Sequence, residues 1–303
     1  MSLEIPFTKM VGTGNDFLVI DAVHQKLGAV KMQWPQVARL MCERRYGVGA
    51  DGVLVLQPSR IADCKMRVFN PDGSEAEMCG NGARCVAGLV SGWNGRRRDA
   101  VVIETAGGLV SAEVLGHRVR MRMPDPRDLR LNLEVAVDQR RLQLGSVNTG
   151  VPHVVVPVGT LEHVEVERLG RQLRFHRAFQ PRGTNVNFLA IDARRPNRLS
   201  IRTYERGVEA ETLACGTGVA AAAVIYAARQ HRGDRRTTRH LDVETRGGET
   251  LAVSLTIVPS GGGRTSPQVT DVILEGPIRI ICRGTFSWSK PLIASQTRKA
   301  GKR

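Results

Sequence analysis

Two cysteines in this chain stand in nearly the same local sequence. The first lies in Glu77-Met78-Cys79-Gly80-Asn81-Gly82-Ala83-Arg84-Cys85, the second in Leu213-Ala214-Cys215-Gly216-Thr217-Gly218-Val219-Ala220-Ala221-Ala222-Ala223. Each reads as a Cys, a Gly, a small polar residue and a second Gly followed by helix formers, which predicts a thiol on a glycine turn where a helix begins. A helix start offers unpaired N–H groups and the positive end of the peptide dipole, so it acidifies a thiol and binds a carboxylate. Two such groups on opposite faces of one carbon suit inversion of a stereocentre, one taking the proton and the other returning it from the far side. The competing readings are a structural disulfide, which a reducing compartment disfavours, and a metal site, for which His153 alone does not supply the further ligands. A buried cysteine is also commonly just a small hydrophobe, and the duplication argues against that here.

The elements that must hold these turns follow from the flanking pattern. Ile5 to Asp21 reads as strand, glycine turn (Val11-Gly12-Thr13-Gly14-Asn15-Asp16) and strand, the turn being a plain hairpin or a close approach to a ligand. Met32 to Cys42, with Val37, Leu40 and Met41 on one side, reads as an amphipathic helix. Val53–Leu56 and Cys64–Phe69 read as strands leading to the turn Asn70-Pro71-Asp72-Gly73. After the first cysteine helix, Val101–Thr105 and Leu109–Val114 flank a glycine pair; Leu241–Thr245 and Leu251–Leu255 do the same after the second helix, expected from Thr217 to Arg229. This is an internal repeat, with its cysteines 136 residues apart. Pro124-Asp125-Pro126 marks the boundary between its halves. Val272–Leu274 and Arg279–Cys282 read as two final strands, and the Gly/Ser-rich stretch from Pro259 to Pro267 as a mobile loop.

Composition sets the outer limits. With 303 residues and 42% hydrophobic content the chain can bury a sizeable core, and it has no apolar run of membrane-spanning length and no signal-peptide pattern, so a cytoplasmic location is expected. Six cysteines are too few for a disulfide scaffold and lack paired zinc-site spacing. The net charge of +15 raises the question of nucleic acid, but only 4% of residues are aromatic and much of the excess lies after Glu275, beyond which no acid occurs. The pattern argues against a nucleic-acid partner and against a membrane partner.

The longer motifs resemble those of the diaminopimelate epimerase family. They run in order through Lys9-Met10-Val11-Gly12-Thr13-Gly14-Asn15-Asp16-Phe17, Asn70 to Cys85, Asn148-Thr149-Gly150-Val151-Pro152-His153, Gly183-Thr184-Asn185-Val186-Asn187-Phe188, and Tyr204-Glu205-Arg206-Gly207 through Cys215-Gly216-Thr217-Gly218. The resemblance implies an α+β fold of two pseudo-symmetric, strand-rich domains, each a barrel-like sheet wrapped around a central helix, with the active site in the cleft between them. The expected division is 1–122 with a C-terminal strand at about 276–289, then 123–275, then a flexible basic tail at 290–303. It implies a cofactor-independent epimerase, without metal, that interconverts LL- and meso-diaminopimelate and acts as a homodimer. By motif position Cys79 and Cys215 are its two bases, with His153 and Glu205 assisting. Gly80, Asn81, Gly216 and Thr217 would hold the α-carboxylate of the reacting centre, and Asn15, Asn70, Asn185 and Arg206 the distal end of the substrate. The chain departs from some members at Asp51-Gly52, where they carry Gln, at Val151, where they carry Asn, and around Val208-Glu209-Ala210, which is one residue longer. Three other readings stay open: a two-cysteine racemase of another amino acid, a phenazine-pathway isomerase-like relative, and a basic nucleic-acid-binding protein that retains the fold.

Overall fold

Short apolar runs between glycine turns build one strand arrangement twice. The computed structural model describes residues 2–25, 33–95, 98–138, 140–259 and 267–289. Strands β1 (Ser2–Gly12) and β2 (Asn15–Asp21) form a hairpin whose two turn residues, Thr13 and Gly14, both have positive φ, as the type I′ turn requires. Helix α1 (Trp34–Cys42) then carries the chain to β3 (Gly52–Gln57), parallel to β2, a pairing that needs a crossover. β4 (Cys64–Phe69) and the short β5 (Glu75–Ala76) lead into α2 (Gly80–Val90), and β6 (Ala100–Thr105), β7 (Gly108–Leu115) and β8 (Arg118–Arg122) follow.

The second round begins after the proline pair with β9 (Arg127–Val137) and β10 (Arg140–Asn148), an antiparallel pair. β11 (Pro152–Pro157), α3 (Val166–Arg174) and β12 (Asn185–Ile191) repeat the parallel crossover, His153 lying opposite Asn185. β13 (Arg198–Glu205) and β14 (Ala210–Thr212) precede α4 (Gly216–Gln230), and β15 (Thr237–Glu244) and β16 (Thr250–Val258) form the closing hairpin. The last strand, β17 (Gln268–Ser289), serves both rounds. It pairs with β16 from Gln268 to Glu275, with β8 from Ile273 to Pro277, and with β1 from Ile278 to Ser289. The order β1-β2-β3-β4-β6-β7-β8-β17 thereby returns to β1 as a closed eight-stranded barrel.

Each array is filled by its central helix. Every residue of α4 from Gly218 to Ala228 is buried, so the alanine run reads as a helix enclosed on all sides, thin enough to fit within the strands β9–β13 and β15–β17. α2 occupies the same place in the first round, packing Ala83, Cys85, Val86, Ala87 and Val90 against Met10, Phe17, Leu54, Val68 and Val119. The cysteine turns are held alike: the N–H of Gly107 donates to the carbonyl of Glu77 at 3.1 Å, and that of Gly247 to the carbonyl of Leu213 at 2.9 Å. In both halves the tip of the glycine hairpin thus grips the residue two before the cysteine.

Several expectations change. The two final strands are one strand, because β17 crosses from one array to the other without a turn. The first helix begins at Trp34 and buries Trp34, Val37, Ala38, Met41 and Cys42, while Leu40 is 40% exposed and lies off the buried face. β9 and α3 had no counterpart in the sequence reading. The alternating Leu129, Leu131 and Leu133 of β9 are only partly buried, and α3 is strongly charged. Residues 260–266 of the expected loop and the 290–303 tail lie outside the described residues.

Candidate active site

The N-cap of α2 is Cys79 and the N-cap of α4 is Cys215, both with extended backbone. Sγ of Cys79 accepts from the N–H of Gly82 at 3.5 Å, while Sγ of Cys215 lies 3.4 Å from the hydroxyl of Thr217. The two helix starts meet. A β-carbon on Gly216 would lie 3.5 Å from Oδ1 of Asn81 and 3.7 Å from Nη1 of Arg84, both ordinary contact distances, so the start of α4 lies beside the start of α2. Both sulfurs feel the Glu205 carboxylate at the end of β13, and Cys215 also feels Cys79. Burial pushes both thiols up, Cys215 to about 12, and the helix-start N–H groups and the Thr217 hydroxyl pull the other way. Burial also pushes the Glu205 carboxyl up.

His153, at the start of β11, is fully buried; burial and then the charge of Arg206 push its pKa down to about 3, so the ring is neutral. Its Nε2 is 2.9 Å from Oγ1 of Thr217, and its Nδ1 accepts from Nδ2 of Asn187 at 3.1 Å. Asn185 ties this strand to the next loop: its Nδ2 donates to the carbonyl of Pro152 at 3.1 Å, and its Oδ1 accepts from the N–H of Arg206 at 2.8 Å. The guanidinium of Arg206 reaches the carbonyl of Arg182 at 3.2 Å.

The first half contributes a chain of amides. Nδ2 of Asn81 donates to Oδ1 of Asn15, whose own Nδ2 donates to Asp51 at 3.2 Å. Asp51 in turn pairs with Arg44 at 2.7 Å. Asn70 stands in the turn after β4, bonded to the hydroxyl of Ser74 at 2.9 Å, at the same barrel end as Asn15 through the β2–β3–β4 register. Cys79, Cys215, His153, Glu205, Gly80, Asn81, Gly216 and Thr217 thus converge. Asn15, Asn185 and Arg206 join them through hydrogen bonds and charge, and Asn70 shows no direct bond to the group.

Two residues that the motifs leave without a role prove central. Arg84 is fully buried; its Nη2 donates to Oγ1 of Thr13 at 2.7 Å and to Oδ1 of Asn81 at 2.6 Å, and its Nε and Nη1 have no partner. Its charge pulls the Cys79 thiol down. Asn187 is buried between His153, Val154 and Thr203. Each is a polar side chain within an otherwise apolar run of its motif, which is the signal by which the sequence marks it. The Gly12–Gly14 turn, by contrast, makes its close approaches to protein: a β-carbon on Gly12 would lie 2.8 Å from the carbonyl of Asn81, and one on Gly14 would lie 3.1 Å from Cβ of Leu213. All six cysteines are free thiols, and among the described residues no three His, Cys, Asp or Glu side chains cluster as a metal site would need.

Comparison with known proteins fits this geometry. The family profile for diaminopimelate epimerase matches residues 7–127 and 145–258. A protein of Archaeoglobus fulgidus named diaminopimelate epimerase is 41% identical over 268 residues, covering 84% of this chain and 90% of its own. One of the same name from Methanothrix thermoacetophila is 38% identical, covering 94% and 96%. Among solved structures, a hydroxyproline epimerase from Agrobacterium vitis shares the fold with a TM-score of 0.67 at 19% identity, over 94% of this chain and 91% of that one. With its two cysteine-capped helices and matching motifs over most of its length, the chain belongs to the diaminopimelate epimerase family.

Proposed function

We propose that this protein interconverts LL- and meso-diaminopimelate by moving one α-proton between Cys79 and Cys215. The observation that carries the reading is the meeting of two cysteine-capped helix starts, with Gly216 against Asn81. In one direction the Cys79 thiolate takes the α-proton and becomes a thiol, and the Cys215 thiol delivers its proton to the opposite face and becomes the thiolate; the reverse direction exchanges the roles. The N–H groups around Gly80, Asn81, Gly216 and Thr217 bind the α-carboxylate and stabilise the negative charge that spreads onto it as the proton leaves. Burial favours the thiol form of both sulfurs in the free enzyme, which suits the acid role that each takes in turn.

His153 and Glu205 assist from either side of the sulfurs, and Arg206, Asn185, Asn15 and Asn70 form the far wall that recognises the distal amino-acid end. The scheme uses no cofactor. The halves 1–122 with 276–289 and 123–275 act as two domains, and closure between them excludes water from the carbanion-like state. A homodimer in the cytoplasm is the assembly and location we propose with it. No helix among the described residues is long and apolar enough to cross a membrane.

The test is α-proton exchange. Reduced protein incubated with LL-diaminopimelate in deuterium oxide is expected to put deuterium on the α-carbon and to yield the meso isomer. Absence of both, with the protein folded and its thiols free, overturns the substrate reading; exchange into proline or another amino acid instead would favour the racemase alternative.

A further inference from the structure

The orientation of one buried amide decides which way the hydrogen bonds run to Cys215. Asn187 lies on β12, two residues beyond the pairing of His153 with Asn185, and is completely buried. One end of its carboxamide is 2.9 Å from the carbonyl oxygen of Val154, which only accepts, so that end is the NH2. The same nitrogen is 3.1 Å from Nδ1 of His153, and the other end, Oδ1, accepts from the hydroxyl of Thr203 at 3.0 Å. Nδ1 is therefore an acceptor, and the proton of the neutral ring sits on Nε2.

That proton points at Oγ1 of Thr217, 2.9 Å away, and Oγ1 is also 3.4 Å from Sγ of Cys215. A threonine hydroxyl has a single proton. In the other tautomer Nε2 would claim it; with Nε2 a donor, it stays free for the sulfur. We infer that Asn187 is a positioning residue that locks His153 in the Nε2–H tautomer and so reserves the Thr217 proton for the Cys215 thiolate. The effect matters at Cys215, the more deeply buried of the two residues, which must carry a negative charge in one direction of the reaction. The charged groups facing this relay are Arg206 on the His153 side, and Glu205 and Cys79 on the sulfur side. Gly218 completes the fit, since any β-carbon there would collide with Oδ1 of Asn187.

This inference rests on the reading of Cys215 as one of the two bases, and its test needs no turnover. In wild-type protein with isotope-labelled histidine, imidazole nitrogen NMR, assigned with His153→Gln, is expected to show Nδ1 bare and Nε2 protonated at neutral pH; a protonated Nδ1 overturns the proposal whether or not any variant folds. In a Cys79→Ala background, the rate of alkylation of Cys215 at one fixed, mildly alkaline pH, followed peptide by peptide, reads the thiolate fraction. Asn187→Asp, which accepts a proton from Nδ1, and Thr217→Val are each expected to slow it by about 10- to 100-fold, the size of a lost charge-assisted hydrogen bond. The double variant should slow it no further than either alone. If Asn187→Asp slows alkylation equally when residue 217 is already valine, its charge acts through space and the relay is refuted. Should the tautomer and alkylation rates behave as expected while diaminopimelate is not epimerised, the substrate reading falls and the tautomer lock stands.

Discussion

Oδ1 of Asn81 lies 3.5 Å from where a β-carbon on Gly216 would stand, so the second residue of α2 lies beside the first residue of α4. Residues far apart in sequence thereby form one surface on which two helix starts lie side by side. With the same Oδ1 accepting from Arg84, the surface has a buried cation behind it.

Removal of either thiol should stop the reaction. Cys79→Ala and Cys215→Ala are each expected to lose epimerisation by about 10²–10⁴-fold or more, the range for a missing general acid or base. Cys→Ser at either position should keep weak α-proton exchange. Chiral product analysis and deuterium incorporation check both, and full turnover by either alanine variant would end the two-base scheme.

Gly218 has no room for a side chain. Gly218→Ala would drive a methyl group into the Asn187 amide, and overpacking of this kind costs about 1–3 kcal/mol. Urea unfolding should show that loss, and kcat should fall further than folding alone explains, because the displaced amide no longer holds His153. An unchanged unfolding midpoint would mean that the strands yield more easily than the close fit implies.

Arg84 acts on the sulfur through its charge. Arg84→Met keeps a long apolar stem while removing the cation that pulls the Cys79 thiol down, so the alkylation midpoint of Cys79 should rise. Arg84→Lys should restore part of that shift while losing the bonds to Thr13 and Asn81. Equal midpoints in all three proteins would show that the buried charge does not reach the thiol.

His153 makes the fold acid-sensitive. Its folded pKa of about 3 lies below the unfolded value near 6.5, so the unfolded chain binds the extra proton and stability falls as pH drops from about 6.5 toward 3. Between pH 7 and pH 5 this group alone removes about 2 kcal/mol. Glu205, pushed upward, works oppositely: its contribution is present at low pH and is lost as pH rises through its folded pKa. The comparison of wild type with His153→Gln isolates the histidine, and the variant should lose about that much less stability over the same interval in urea titrations.

Local chemistry determined the repeated cysteine turns, the helices they open, the glycine hairpins and the internal duplication, because each is written in backbone preference and in the period of apolar residues over a few positions. Those signals were enough to place Cys79 and Cys215 at helix starts, whereas His153, Glu205 and Asn185 came into view only through the resemblance of their motifs to a known family. What needed the folded chain was the pairing of polar atoms inside it. That Asn187 serves His153 depends on the parallel register of β11 and β12, and that Arg84 lies behind both helix starts depends on how two arrays share β17. The outward turn of Leu40 and the single continuous β17 were likewise decided by packing between distant segments. A buried polar group takes whichever partner the tertiary contacts bring within hydrogen-bond reach, and its own sequence neighbourhood carries no record of that partner.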